Sequence, residues 1–173
     1  MKKQVRKEKG KFSKKTIQKV ITMLKKQIAF YMKKPVNQLK LSVSKGNSKI
    51  GKVLNISLAP IVTCCNCVKC MYFCYDIKAC LAYPSALLAR ARNTALFMLS
   101  RDEYFNQLHK VMASRKKNFY LRFHVSGEIV DYNHFERMIN TALLFPYYRI
   151  WTYTKNYYVV NEWIRKHGGN KNC

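Results

Sequence analysis

Five of the seven cysteines in this chain fall within eleven consecutive positions, in the stretch TCCNCVKCMYFCYD. Cysteine thiolates at short, regular spacing are the ligands that zinc and iron–sulfur clusters take from proteins. Four of them follow the spacing C-x2-C-x2-C-x3-C, namely Cys64, Cys67, Cys70 and Cys74. The stretch therefore predicts a metal centre.

The spacing of these four cysteines favours an iron–sulfur cluster. It is the ligand run of bacterial ferredoxins, although Tyr75 stands where those proteins carry proline. The chain has no second run for a second cluster. Three of the cysteines can therefore hold three irons of a [4Fe-4S] cluster and leave the fourth iron open to a substrate or cofactor. Cys64 is then the fourth ligand or a spare.

Two other interpretations of the cysteine run remain open. Zinc is the alternative metal, but it usually takes two separated pairs of ligands rather than one compact run. Reduced structural or redox-active cysteines are the third possibility. Cys65 is not expected to be a ligand, because adjacent side chains point apart. Cys80 and Cys173 are expected to be bystanders.

The charge of the chain predicts an anionic partner. The formal net charge is +25, from 33 Lys and Arg against 8 Asp and Glu. Charge of this size repels itself unless a polyanion screens it, so nucleic acid or a nucleoprotein complex is the expected partner. A basic genome composition or a solubility requirement is the alternative explanation.

The basic residues are concentrated before residue 53, which predicts a boundary between a segment 1–52 and an α/β domain 53–173. Apolar residues from Ile17 to Tyr31 recur at helical spacing, with Ser13 as a candidate N-cap and Pro35 ending the pattern. This helix either packs on the domain with its lysines in solvent, which is the preferred interpretation, or docks on nucleic acid or an anionic membrane. The expected nucleic-acid contacts lie on it and on a later helix: Lys14, Lys15, Lys25, Lys26, Lys33, Lys34, Arg90 and Arg92.

The sequence predicts a cytoplasmic protein with no membrane association. No uncharged apolar run reaches the roughly 18 to 20 residues that a bilayer crossing needs. The start, MKKQVRKEKGKFSKK, is charged and lacks the apolar region of a secretory signal. Clustered cysteines in a reducing compartment indicate metal binding or catalysis rather than disulfides.

The remaining elements alternate between strand and helix. Strands are predicted at VLNISLAPIV, NFYLRFHV and YRIWTYT, and helices at about 84–113, 132–144 and 157–167. The first of these helical regions has Leu87, Leu88, Phe97, Met98 and Met112 among its candidate buried residues. An order of β-α-β-α-β-α implies an α/β fold with a parallel sheet and right-handed crossovers.

Each predicted strand ends in residues that can do chemistry. The cysteine run follows the first strand, His124 to Glu128 the second, and Thr152 to Asn156 the third. The carboxyl ends of parallel strands share one edge of the sheet, so these residues should meet there. Glu128, Tyr153 and Lys155 are the candidate catalytic residues. His124 is expected to be a buried core residue rather than a ligand.

Residues from about 57 to 166 resemble the phage and mobile-element family called gene product 88. The resemblance lies in ISLAPIVTCCNCVKCMYFCYD, ARARNTALF, LRFHVSGEI and IWTYTKNY, in that order. It implies an α/β protein with an iron–sulfur or radical-SAM-like site, working in the cytoplasm of a bacterial host.

The same motifs are similar to those of radical S-adenosylmethionine enzymes. In that group a three-cysteine loop follows the first barrel strand and a Gly-Gly-Glu motif ends the second. The resemblance implies that Ser126, Gly127 and Glu128 bind the amino group of S-adenosylmethionine. The usual spacing there is C-x3-C-x2-C, whereas the last three cysteines of the run show the reverse order.

The radical-SAM resemblance also implies an incomplete barrel. A complete barrel takes eight βα units, and this chain has three. The expected fold is therefore a partial, three-unit, barrel-like sheet. Three explanations of its open edges are left: the N-terminal segment covers one, an oligomeric partner does, or the chain is a shortened form of a longer family member.

Overall fold

The structure is a computed structural model that describes residues 11–46, 51–65, 67–115, 117 and 119–168. The prediction for Cys173 lies outside the described residues. The elements run in the order α1 (Lys14–Met32), β1 (Leu54–Asn55), α2 (Tyr75–Ala82), α3 (Pro84–Leu99), α4 (Arg101–Ala113), β2 (Tyr120–Phe123), α5 (Tyr132–Leu144), β3 (Arg149–Thr152) and α6 (Tyr157–His167). Short 3-10 turns cover Val36–Gln38 and Cys70–Phe73.

The three strands form one parallel sheet in the order β1-β2-β3. Leu54 pairs with Leu121, which in turn pairs with Ile150. The mixed α/β fold is confirmed, and the sheet is open rather than closed into a barrel. Because the strands are parallel, all three of their carboxyl ends lie at one edge of the sheet, here called the carboxyl edge. Each strand is followed along the chain by a helix.

The predicted first strand, 53–62, is longer than the two residues that form a regular ladder. Beyond Asn55 the chain stays alongside the end of β2, since the amide of Ile56 donates to the Arg122 carbonyl and that of Leu58 to the Ser126 carbonyl. The regular register is lost because His124 takes a left-handed backbone conformation, with φ of 53°. The strand prediction was therefore right in position and wrong in length.

The predicted helical region 84–113 is two helices, α3 and α4. Ser100 separates them with an extended backbone, and its hydroxyl caps α4 by accepting from the amide of Glu103. Leu88 and Met98 are 39% and 50% exposed, so their prediction as core residues was wrong. Helix α2 was not predicted, whereas the predicted bounds of α5 and α6 are confirmed.

Helix α1 packs on α2 and α3 and so supports the element that follows the cysteine run. The hydroxyl of Ser13 caps its first turn by accepting from the amide of Thr16. Its buried face contributes to one of two apolar clusters: Ile17, Val20, Leu24, Ile28, Ala59, Ile77, Cys80, Leu87, Ala91 and Ala95. The small side chains of Ala91 and Ala95 share one face of α3, which lets the two helices approach closely.

A second apolar cluster lies beneath the sheet, between the strands and helices α4 and α5. Its members include Leu58, Leu108, Met112 and Phe123, all fully buried. The hydroxyl of Tyr148 donates to the Met112 carbonyl and ties the start of β3 to α4. This cluster supports the sheet, and with it the carboxyl edge, on the face that packs against α4 and α5.

The outer edge of β1 is partly covered by the chain that precedes it. Ser44 and Asn55 exchange two backbone hydrogen bonds of 2.9 and 2.8 Å in an antiparallel bridge. An oligomeric partner on the remaining edge stays a prediction. None of the helices in the described part of the chain has both the length and the apolar composition that a bilayer crossing requires.

Candidate functional site

The loops after the three strands enclose one cavity of about 470 Å³ at the carboxyl edge. The candidate metal, cofactor and catalytic residues all line it: Cys64, Cys67, Cys70, Cys74, Ser126, Gly127, Glu128, Tyr153 and Lys155. They come from three separate stretches of the chain. The structure therefore brings these predicted residues together, as the parallel-strand argument required.

The turn that leads into the cysteine run has a strained backbone. Ile61 has φ of 66°, a left-handed conformation that is rare for a β-branched residue and costs about 1 to 3 kcal/mol. Local bonds hold it: the Ile61 amide donates to Cys64 Sγ at 3.3 Å, and the Thr63 hydroxyl donates to the Ala59 carbonyl at 2.8 Å. The Ala59 amide in turn donates to the Thr94 hydroxyl. This turn directs Cys64 toward the cavity.

The cysteines of the run border the cavity, and two of their sulfur atoms form a close pair. Cys67 Sγ and Cys70 Sγ lie 3.3 Å apart. Two thiolates on one tetrahedral zinc ion, with bonds of about 2.3 Å, lie roughly 3.8 Å apart. In a [4Fe-4S] cluster the two sulfurs bind different irons and sit farther apart. Within the described residues, no three Cys, His, Asp or Glu side chains already stand in a metal-binding arrangement.

Burial keeps the thiols of Cys64, Cys67 and Cys74 protonated when no metal is bound. It raises the pKa of Cys64 to about 11, with smaller contributions from neighbouring Cys74 and Glu128. Burial also raises the pKa of Cys67 and of Cys74. Because only thiolates bind metal, loading this site must release protons.

Lys155 supplies the positive charge beside these sulfurs. Its pKa is raised by interaction with the cavity sulfurs, first of all with Cys70 and further with Cys67 and Cys64 when these are thiolates. An ammonium group in this position stabilises thiolates and offsets the negative charge of a thiolate-bound metal group. The sulfur donors and this cation fit the predicted iron–sulfur or zinc centre.

Glu128 joins the second and third loops of the site. Its carboxylate is buried and accepts hydrogen bonds from the amide of Ile129, the hydroxyl of Thr154 and the amide of Lys155, at 2.8, 2.6 and 2.8 Å. These bonds position Lys155 toward the cysteines. A catalytic role for Glu128 stays a prediction, and sequence reasoning missed Thr154, although it lies in the predicted third-strand loop.

Ser126 and Gly127 pack the second loop against the first. The Ser126 hydroxyl donates to the Leu58 carbonyl at 3.1 Å. Gly127 has φ of 80°, and a Cβ there would lie 2.7 Å from Leu58 Cβ and 2.8 Å from Thr63 Oγ1. Only glycine fits this close approach. Their role in binding a cofactor stays a prediction.

His124 belongs to the protein core. It is 4% exposed, and its ring lies edge-on to His134 with the ring centroids 4.9 Å apart. Neither ring nitrogen of His124 has a hydrogen-bond partner in the described structure. Burial lowers its pKa to about 3, so the ring is neutral at physiological pH.

Arg90 and Arg92 were predicted to contact nucleic acid, but the structure places Arg90 in a buried ion pair. Its guanidinium donates to both carboxylate oxygens of Asp76, at 2.5 and 2.6 Å. Asp76 is 1% exposed and lines the cavity. Nε of Arg92 is buried without a hydrogen-bond partner in the described structure. Sequence reasoning missed Asp76, whose signal was its position in the first turn after the cysteine run.

Arg122 is a second residue that sequence reasoning missed. It lies on β2, lines the cavity, and places its guanidinium carbon 5.1 Å from the ring centroid of Tyr153. The signal was an arginine between the apolar residues Leu121 and Phe123 of the predicted strand. Arginine in a sheet near a cavity needs an anionic or aromatic partner.

The fold and the site define a small α/β protein with an open parallel sheet and a cysteine-lined cavity at its carboxyl edge. A family model described as Gene product 88 matches residues 16–172. The chain therefore belongs to the gene product 88 family, a phage gene product family, which confirms that resemblance. No curated protein and no solved structure matches the chain. The similarity to radical S-adenosylmethionine enzymes stays a prediction.

Proposed function

We propose that this protein binds an iron–sulfur cluster at the carboxyl edge of its sheet and serves a phage or mobile element. The observation that carries the proposal is the placement of all four cysteines of a ferredoxin-like run around one cavity. Lys155 lines the same cavity and supports the proposal further, because a thiolate-bound cluster is negatively charged.

Each residue of the run has a distinct part in this proposal. Cys67, Cys70 and Cys74 hold three irons, and Cys64 either holds the fourth or leaves it open. The cluster, when bound, supplies one-electron chemistry and, with an open iron, a position for a substrate. Lys155 offsets the charge of the thiolates. Glu128 keeps Lys155 in place through the amide of that residue.

We also propose a more specific function, a radical reaction with S-adenosylmethionine in a three-unit partial barrel. Its support is that Ser126, Gly127 and Glu128 end the second strand in the same cavity as the cysteines. The Ser126 hydroxyl and the Glu128 carboxylate already bond within the protein. Tyr153 and Lys155 are then the side chains that reach a substrate.

Zinc is the alternative occupant, and the Cys67–Cys70 pair favours it. The separation of 3.3 Å between the two sulfurs is near that of two ligands on one ion. A zinc ion would fix the cysteine loop without supplying redox chemistry.

Cysteine substitutions test the site. After anaerobic reconstitution with iron and sulfide, Cys67→Ala, Cys70→Ala and Cys74→Ala should each lower the bound iron by more than about tenfold, because each removes a direct ligand. Cys65→Ala is the matched control, since Cys65 also lines the cavity but is outside the spacing. Iron content is measured with a colorimetric assay.

With Cys64→Ala added to the series, three outcomes separate the alternatives. If Cys70→Ala keeps the iron of the unmodified protein, the proposed ligand set is wrong. If Cys64→Ala keeps the cluster, Cys64 is the spare and one iron is open. If it loses the cluster, Cys64 is the fourth ligand.

We also propose nucleic-acid binding through α1 as a second function. The supporting observation is that Lys14, Lys15, Lys25 and Lys26 are exposed on a helix whose apolar side is buried, and that the exposed Lys33 and Lys34 directly follow its end. No acidic residue lies in this helix. A surface of this kind contacts phosphates without reading sequence.

The salt dependence of binding tests this second function. Each lysine that contacts a phosphate contributes about 0.9 to the slope of log K against log salt concentration. Replacing Lys25 and Lys26 with glutamine should therefore reduce the slope for a DNA duplex by roughly 1.8. The control removes the same charge elsewhere, at Lys78 and Lys110. Equal slopes for the two variants would exclude α1 as the binding surface.

A further inference from the structure

The mouth of the carboxyl-edge cavity combines one guanidinium group with exposed aromatic rings. Arg122 contacts the ring of Tyr153, and Tyr75 lines the same cavity. Nε of Arg122 is buried and has no hydrogen-bond partner in the part of the chain that the structure describes. A buried donor without a partner is costly, so it marks a position where a ligand can accept.

The carboxylates that line the cavity are engaged elsewhere. Asp76 binds Arg90 through both oxygens, and Glu128 accepts three hydrogen bonds from the loops around it. Neither carboxylate therefore neutralises Arg122. The guanidinium is suited to an anion that enters from outside, and arginine binds phosphate particularly well.

Four aromatic side chains at this mouth are more than half exposed. Phe73, Tyr75, Tyr153 and Tyr157 are 53%, 57%, 70% and 63% exposed, and all four line the cavity. Clustered exposed aromatics around a concave site indicate a ligand with an apolar, flat surface. Such rings stack on nucleobases of any sequence.

We infer that the mouth of this cavity binds a nucleotide, with its base stacked on Tyr153 or Tyr75 and its phosphate on Arg122. A cavity of about 470 Å³ falls within the range of small-molecule sites, roughly 300 to 1,000 Å³. The nucleotide is either free or the end of a single strand, since both present the same base and phosphate.

Calorimetric titration with AMP, adenosine and a 5′-phosphorylated single-stranded tetranucleotide tests the inference. AMP should bind at least about tenfold more tightly than adenosine, because only AMP offers a charged acceptor to Arg122. Arg122→Gln should remove that difference. Tyr153→Leu should weaken binding of both AMP and adenosine by about tenfold through loss of stacking. Tyr158→Leu is the control, because Tyr158 is 80% exposed and lies outside the cavity lining.

The same titrations identify the source of the nucleotide. Tighter binding of the tetranucleotide than of AMP assigns the site to a strand end, and equal or weaker binding assigns it to a free nucleotide. The inference is wrong if neither AMP nor the tetranucleotide shows saturable binding. It is also wrong if Arg122→Gln and Tyr153→Leu both leave the affinity unchanged. Iron and zinc content, measured on each variant, separates failure of this site from failure of the metal site.

Discussion

Replacing Asp76 with alanine is expected to lower the free energy of unfolding by about 3 to 5 kcal/mol. The substitution leaves the Arg90 guanidinium buried without its partner, and the desolvation cost of that charge is no longer offset. The pair is well shielded, with side-chain exposures of 16% for Arg90 and 1% for Asp76. It also ties the first turn of α2 to α3, directly after the cysteine run. Urea denaturation measures the change.

An exposed ion pair in the same protein provides the control for Asp76. Asp102 contacts Arg137 at 2.6 Å, but their side chains are 75% and 32% exposed. Asp102→Ala is therefore expected to change the free energy of unfolding by less than about 1 kcal/mol. Similar losses for the two alanine variants would show that burial of the Asp76–Arg90 pair has no special effect on stability.

Acidification is expected to destabilise the protein well above the pH at which most carboxylates titrate. Burial lowers the pKa of His124 to about 3 and that of His134 well below its ordinary value. Below about pH 6.5 the unfolded chain therefore binds more protons than the folded one. Each buried histidine then removes about 1.4 kcal/mol per pH unit, so the stability is complete above pH 6.5 and falls as the pH drops toward 3.

His124→Asn isolates the contribution of one histidine to this pH dependence. Asparagine tolerates the left-handed backbone conformation of this position and does not titrate. Between pH 6.5 and 4.5 the variant should lose stability less steeply than the unmodified protein, by about 1.4 kcal/mol per pH unit. A His124→Asn slope equal to that of the unmodified protein would contradict the assignment.

Local signals explain which helices could be predicted from sequence. Asp131 caps α5 by accepting from the amide of His134, and Pro146 follows its end. The break at Ser100 was missed because apolar spacing continues across it. The pattern Ser-x-x-Glu from Ser100 to Glu103 was the available signal, as it is typical of a helix N-terminus.

The sequence predicted which strand ends form the site. It could not predict the contacts between the side chains there. The rule that parallel strands end at one edge was enough to bring Cys70, Glu128 and Lys155 to one cavity. It could not show that Glu128 is fully hydrogen-bonded, because Thr154 is 26 residues away and meets it only through the fold. The same holds for Asp76 and Arg90, which lie on different helices.

The most direct test of the central claim is the metal content of the unmodified protein purified without oxygen. Cysteine spacing, the shared cavity and the Lys155 ammonium together predict a coloured protein with about four iron and four acid-labile sulfide per chain. They also predict absorbance from thiolate-to-iron charge transfer. A colourless protein that carries one zinc ion per chain, and that takes up no iron and sulfide on reconstitution, would contradict the iron–sulfur proposal.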